Sequence, residues 1–356
     1  MRGCAQIGIN CISVKFTQIL CQNLQVLQMS GLSKSRKKTI IFLINTSQND
    51  MIETVNVEKG YQQSMKKIAV VTDSNSGITQ EEAKQLGVFV LPMPFMIDDA
   101  EYFEGINLTV DEFFEKLKGD CKISTSQPAV GAVTDLWDEV LKDYDQLIHI
   151  PMSSGLSNSC QTALMLSNED EYQGKVFVVN NQRVSVTQKQ SVRDALYLIS
   201  EGKDGREIRD ILERDKMLSS IYITVDTLSY LKKGGRLTPA VAAIGTLLRI
   251  KPVLQIQGEK LDTYSKARTM KQAKSIMINA IKTDIENRFA EFPKDKCVFS
   301  IAHTDNFDAA VEFRREIVEA LGGIVSEEDI EIDNLSLSVS CHIGPGALAC
   351  TCTIKE

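Results

Sequence analysis

The chain has 356 residues, 43% of them hydrophobic and 24% charged, with a formal net charge of −7. These values suit a folded protein with room for about two domains and a sizeable core, and the acidic balance argues against a broad nucleic-acid surface. The longest unbroken apolar stretches, such as Thr39-Ile40-Ile41-Phe42-Leu43-Ile44, fall far short of the roughly 18 residues of a membrane span, so the sequence predicts no stable membrane insertion and a cytoplasmic location. Nine cysteines are an odd number. Cys350-Thr-Cys352 lacks the two-residue gap of redox or zinc motifs, and reduced, buried or half-buried thiols are expected.

Residues 1–64 carry seven Lys/Arg and three acids, with no acid before Asp50. They fit neither a secretory signal nor an arginine-rich transit peptide. The expectation is a disordered extension, or an upstream start, with no part in the function. At Met65 the chain turns into Lys66-Lys67-Ile68-Ala69-Val70-Val71-Thr72-Asp73-Ser74, the pattern of a basic lead-in, a buried strand and a turn.

Lys67–Thr72 is predicted to be a strand of a parallel sheet buried on both faces, because it is continuously apolar. Thr79–Glu82 opens a short helix with a cap and early acids. A single strand is expected over Val88–Ile97, then an acidic loop and an amphipathic helix over Val110–Leu117. Ser124–Pro128 reads as a turn, with Pro128 starting a helix over Val130–Lys142. Gln146–Ile150 is the next strand and feeds a second hydroxyl-rich turn, Ser153–Ser157, and a helix to about Asn168. Lys175–Asn180 is a strand, and Ser185–Ser200 and Arg206–Leu218 are helices. Strands alternating with helices of this size predict an α/β fold with an N-terminal doubly wound parallel sheet, Rossmann-like, over residues 65–220.

The pattern changes after Ser220. Strands are expected at Ile221–Val225 and Pro252–Ile256, a helix over Pro239–Leu248, and a hairpin turn at Gly258-Glu259. A long helix over Thr269–Phe292 and a strand–helix pair at Val298–Ala302 and Ala309–Leu321 follow. Two strands split by Gly344-Pro345-Gly346 are expected to close the chain, the first over Leu337–Cys341. Residues 221–356 are thus predicted to form a second α/β domain with a mixed sheet.

Several constellations carry chemistry. Short hydroxyl residues at helix starts cap orphan N–H groups, and the same place receives anions. The turns Ser124–Pro128 and Ser153–Ser157 both fall at the carboxyl ends of predicted strands, where α/β sheets bind ligands. The chain has three histidines. His149 lies in an apolar strand and reads as a satisfied core residue, and His303 as a capping residue. His342 precedes a Gly-Pro-Gly turn, where a ring can approach a ligand and donate to a carboxylate. The G-x-S-x-G elbow, the P-loop and G-x-G-x-x-G are all absent. Lys232-Lys233-Gly234-Gly235-Arg236 is either a solvated turn or a basic docking surface. From the residues alone the chain is an anion-holding α/β protein without catalytic equipment.

Val70–Ser74, Ile123–Pro128, Ser153–Ser157, Leu228–Arg236 with the following leucine, and His342–Ala347 stand in the order and spacing of the DegV family, which the chain resembles over about residues 66–356. Two departures are Asn158, where the family commonly has glycine, and Ser340-Cys341, where it has Gly-Thr. The resemblance implies a bacterial two-domain fatty-acid-binding protein (EDD fold) of phospholipid metabolism, without cofactor or metal. The acyl tail would lie in an apolar tunnel between the domains. Thr125, Ser157 and His342 would hold the carboxylate, with Ser154 and Ser126 as neighbours. The protein would not be an enzyme itself but would present its ligand to a separate fatty-acid kinase, with Arg236 as the partner contact. The alternative is an enzyme: a hydrolase using Ser154 or Ser157 with His342, or a small-molecule subunit like dihydroxyacetone kinase.

Overall fold

A computed structural model describes residues 66–119, 121–236, 238–244, 250–259 and 261–356. The expectation for residues 1–64, and the end of the helix expected to reach Leu248, lie outside the described residues. The described residues form one compact unit.

The first sheet is wholly parallel. It comprises β1 (Ile68–Asp73), β2 (Phe89–Leu91), β6 (Gln146–Ile150) and β7 (Val176–Val178) in the order β2-β1-β6-β7. Its strands are continuously apolar because both faces are covered. Val70, Ile148, Ile150 and Phe177 pack on helices α5 (Val186–Ser200) and α6 (Gly205–Arg214). The alternate residues Ala69, Val71, Leu147 and Val178 pack on α3 (Val130–Leu141) and α4 (Ser159–Leu166). Short helix α1 (Gln80–Leu86), capped by the Thr79 side chain, joins β1 to β2. The next strand of this sheet, β6, lies on the other side of β1. The strand order therefore reverses at β1/β6, and the loops after these two strands flank the reversal.

The single strand expected over Val88–Ile97 is two strands in different sheets. Pro92 and Pro94 remove two donors, so pairing breaks after β2. Here β3 (Pro94–Ile97) starts an antiparallel sheet with β4 (Ala100–Phe103) and β5 (Ile123–Thr125). Both β4 and β5 form where a loop and a turn were expected. Helix α2 (Val110–Lys118) has a full Thr109/Glu112 capping box and buries Phe113, Phe114 and Leu117 against this sheet.

A six-stranded mixed sheet contains β8 (Ser219–Thr224), β9 (Lys251–Ile256), β10 (Leu261–Ala267), β11 (Cys297–His303), β12 (Glu331–Asn334) and β13 (Leu348–Ile354), in the order β10-β9-β8-β13-β11-β12. All its pairs are antiparallel except β11–β12. Edge strand β12 was not expected, since Glu331-Ile332-Asp333-Asn334 is acidic. Its acids receive Lys189, which is buried on α5 and bonds Glu331 at 3.2 Å and Asp333 at 2.6 Å. One face of the sheet packs on α9 (Met270–Thr283) and α10 (Phe307–Leu321). The long helix expected to Phe292 ends earlier, in a π-helical turn at Asp284–Arg288. Short helices α7 (Ser229–Lys233) and α8 (Pro239–Ile244) follow β8.

The first of the two strands expected at the chain's end is a helix, α11 (Leu337–Ile343). Leu-Ser-Val-Ser-Cys alternates like a strand, but the segment lies between two cores. Leu337 and Cys341 enter the core of the three-stranded sheet, while Val339 and Ile343 enter the core on the inner face of the mixed sheet. A helix brings each i, i+4 pair onto one side, so both pairs are buried at once.

His149 is in the core, edge-on to Trp137 at 5.6 Å, but neither ring nitrogen has a partner among the described residues. The expectation of a satisfied histidine is corrected there. Burial pushes its pKa down from 6.5 to about 3. Because the folded-state value lies below the unfolded one, unfolding takes up a proton below about pH 6.5, and stability falls by roughly 1.4 kcal/mol per pH unit towards pH 3. His149→Leu is expected to match or exceed the wild type at pH 7 and to lose less stability between pH 6.5 and 5. Urea midpoints at the two pH values check this, and an unchanged pH slope would refute it.

Candidate ligand-binding site

The loops at the β1/β6 reversal are joined by one carboxylate. Asp73, fully buried at the end of β1, accepts from the backbone N–H of Asn75 (3.0 Å) and Met152 (2.8 Å) and from Gln188 Nε2 on α5 (3.1 Å). Burial raises its pKa, and these donors oppose the rise. They hold the turn after β1, the turn after β6 and the start of α5 around one space.

That space is a cavity of about 360 Å³, within the range of small-molecule sites. Its walls come from Met93, Met152, Val184 and Val186 on one side. Ile221, Ile223, Ala302 and Ala349, on the inner face of the mixed sheet, form the other. Thr125, Ser126, Ser157, Arg236 and His342 also line it.

Thr125 ends β5 and His342 lies in the last turn of α11. Although 217 residues apart, their side chains bond, Thr125 Oγ1 to His342 Nε2, at 2.8 Å. The packing of α11 on the three-stranded sheet makes that contact. Burial, with Arg236 adding its positive charge, pushes the His342 pKa down to about 4, so the imidazole is neutral at pH 7. Its Nδ1 has no hydrogen-bond partner among the described residues. Ser157 Oγ accepts the Ser159 N–H at 3.2 Å, in the turn before α4. Arg236 is exposed at the cavity and donates to the Gly234 carbonyl at 2.8 Å.

Ser154 is not among the lining residues. Its hydroxyl accepts from Asn180 Nδ2 at 3.0 Å and donates to Glu259 Oε1 at 3.4 Å, which ties its turn to the β9–β10 hairpin. Gly155 fits there because a Cβ would stand 2.0 Å from the Glu259 carbonyl oxygen. Gly234 has the same role beneath His342, where a Cβ would stand 1.9 Å from Nδ1. His303 caps as expected, accepting the Asn306 N–H at 3.3 Å. The sequence reading missed Asn75, Ser185, Ser338 and Thr351, all on the lining. Only Asn75 had a signal, in the polar turn directly after a buried strand.

A family model described as an uncharacterised protein of the DegV family matches residues 67–355. The chain belongs to the DegV family. A DegV domain-containing protein of Halalkalibacterium halodurans is 30% identical over 297 residues, 82% of this chain and 100% of that protein. Among solved structures, a DegV-family protein of Thermus thermophilus described by its fatty-acid binding is similar at a TM-score of 0.73 and 28% identity. That likeness covers 81% of this chain and 99% of the other. A fatty-acid-binding DegV-family protein of Streptococcus agalactiae is similar at 0.71 and 29%, over 82% and 100%. The stretches that carried the DegV resemblance in sequence supply Thr125, Ser157, Arg236 and His342 to the lining. Among the described residues no His/Cys/Asp/Glu group could hold a metal ion, and no helix is long and apolar enough to cross a membrane.

Gly234→Ala is expected to push the imidazole off Thr125 and into water. The His342 pKa, read by NMR titration, should then rise from about 4 towards the ordinary 6.5. A value that stays near 4 would show that the ring had not moved.

Proposed function

We propose that this DegV-family chain binds a long-chain fatty acid, with the tail in the cavity and the carboxylate received by Thr125, Ser157 and His342, Ser126 and Ser154 being neighbours. The observation that carries this reading is a mainly apolar cavity whose wall carries the Thr125 hydroxyl bonded to the His342 imidazole. The fatty-acid binding attributed to the similar T. thermophilus and S. agalactiae proteins supports it.

The two ends of the ligand need different chemistry. Burying the tail contributes about 0.8 kcal/mol per CH₂, which accounts for most of the affinity. A carboxylate entering a partly buried site is costly unless donors receive it. Two hydroxyls and an imidazole supply them, and the nearby Arg236 charge favours an anion. A carboxylate beside His342 also raises the imidazole pKa from its low starting value, which favours proton uptake on binding.

We read residues 65–220 as a Rossmann-like domain and 221–356 as a mixed-sheet domain, with the ligand between them. The protein acts in the cytoplasm as a carrier that presents the carboxylate to a separate fatty-acid kinase for acyl-phosphate formation, using Arg236 as a contact. His342 Nε2 faces Thr125, and Ser157 bonds its own turn, an arrangement that favours a carrier over a serine hydrolase.

Native mass spectrometry of the purified chain, followed by lipid extraction, is expected to find one long-chain fatty acid per protein. A chain that neither carries nor takes up fatty acid would overturn the reading. Thr125→Ala with Ser157→Ala should weaken retention on the order of 100-fold, through loss of two hydrogen bonds to a charged group. Arg236→Ala should slow phosphorylation by the kinase more than it weakens lipid uptake. Equal effects on the two would remove its docking role.

A further inference from the structure

Two cavity-lining residues carry buried polar side-chain atoms without a hydrogen-bond partner among the described residues. One is His342, at the cluster already assigned to the carboxylate. The other is Ser185, only 4% exposed, whose hydroxyl lies in the apolar stretch of wall between Val184 and Val186. The remaining interior hydroxyls of the lining are engaged. Ser338 Oγ donates to Asn75 Oδ1, and Thr351 Oγ1 donates to the Ser300 carbonyl at 3.3 Å.

We propose that Ser185 and the amino end of α5 form a second polar subsite, which takes an oxygen substituent on the acyl chain, so that the ligands include hydroxylated long-chain fatty acids. This rests on the fatty-acid reading of the cavity and adds to it a recognition element within the tail region. Ser185 is the N-cap of a 15-residue helix, and its side chain makes no capping hydrogen bond. Its first-turn amides and the positive end of its dipole favour an acceptor oxygen. The Ser185 hydroxyl can donate to the same oxygen or accept from a ligand hydroxyl.

Ser185 also holds φ 58° and ψ −140° as a non-glycine residue, a conformation that glycine would adopt with less strain. A serine there places a hydroxyl on the wall at a cost in backbone energy. The position is well fixed: the Ser185 N–H bonds the Asn75 carbonyl at 2.9 Å, and α5 packs between the parallel sheet and strands β11 and β13.

The test uses the full-length chain stripped of lipid, with stearate and a panel of monohydroxystearates that moves the hydroxyl from C3 to C18. At least one isomer is expected to bind wild type about tenfold tighter, relative to stearate, than it binds Ser185→Ala, as one buried hydrogen bond would give. Ser185→Gly, which removes the hydroxyl while relaxing φ, should lose the same preference and guards against misfolding of the alanine variant. If wild type takes up stearate but every isomer keeps the same ratio in both variants, the subsite is overturned while the carrier reading stands, and the hydroxyl merely holds water. If no stearate binds, the carrier reading falls and the subsite with it.

Discussion

The cavity depends on a carboxylate that does not line it. Asp73 lies at the end of the strand where the parallel sheet reverses its order, and it gathers donors from three separate segments. A buried carboxylate is costly unless it is met by hydrogen bonds, and here the bonds that meet it also set the geometry. The turn with Asn75, the turn with Met152–Ser157 and the start of α5 can hardly shift apart without stranding a charge or a proton in the core. The residues lining the cavity are therefore positioned by a group that is not itself on the lining.

The second constraint is the placement of α5. It packs on the parallel sheet with one face and on β11 and β13 with the other. That explains the load of polar side chains it buries, Gln188, Lys189, Ser191 and Asp194 among them. Each finds a partner from the surrounding elements: Gln188 at Asp73 and Thr72, Lys189 at the acids of β12, Ser191 at Asn181 and Arg183, Asp194 at Arg183 and the Glu356 N–H. These bonds fix α5 in register with both sheets. The cavity lies at its amino end, where Ser185 and Val186 line it.

Much of the fold was legible in the chain. The continuous apolar run at Ile68–Thr72, the capped helix start at Thr79, the amphipathic helix from Val110, and the Gly258-Glu259 hairpin follow from local chemistry, and each forms as that chemistry predicts. The failures share a cause. Phe89–Ile97 splits because two prolines break pairing between sheets that the local pattern cannot distinguish. Leu337–Ile343 alternates like a strand yet folds as a helix because two cores claim its apolar residues. β12 is acidic and forms because Lys189, more than 140 residues earlier in the chain, neutralises it. His149 looked like a satisfied core residue because an apolar strand gives no hint of which donors will be near its ring.

The sequence by itself determined the family, the α/β class and the hydroxyl and imidazole residues now found around one cavity, because those depend on short motifs and local periodicity. Only the tertiary structure decided that Thr125 and His342 bond directly, that Ser154 turns to Asn180 and Glu259, and that Ser185 lines the cavity with a hydroxyl that has no hydrogen-bond partner among the described residues. Those facts depend on which surfaces meet. Helix α11 must pack on a three-stranded sheet assembled from distant segments before an imidazole reaches a threonine 217 residues away, and no local pattern encodes that meeting.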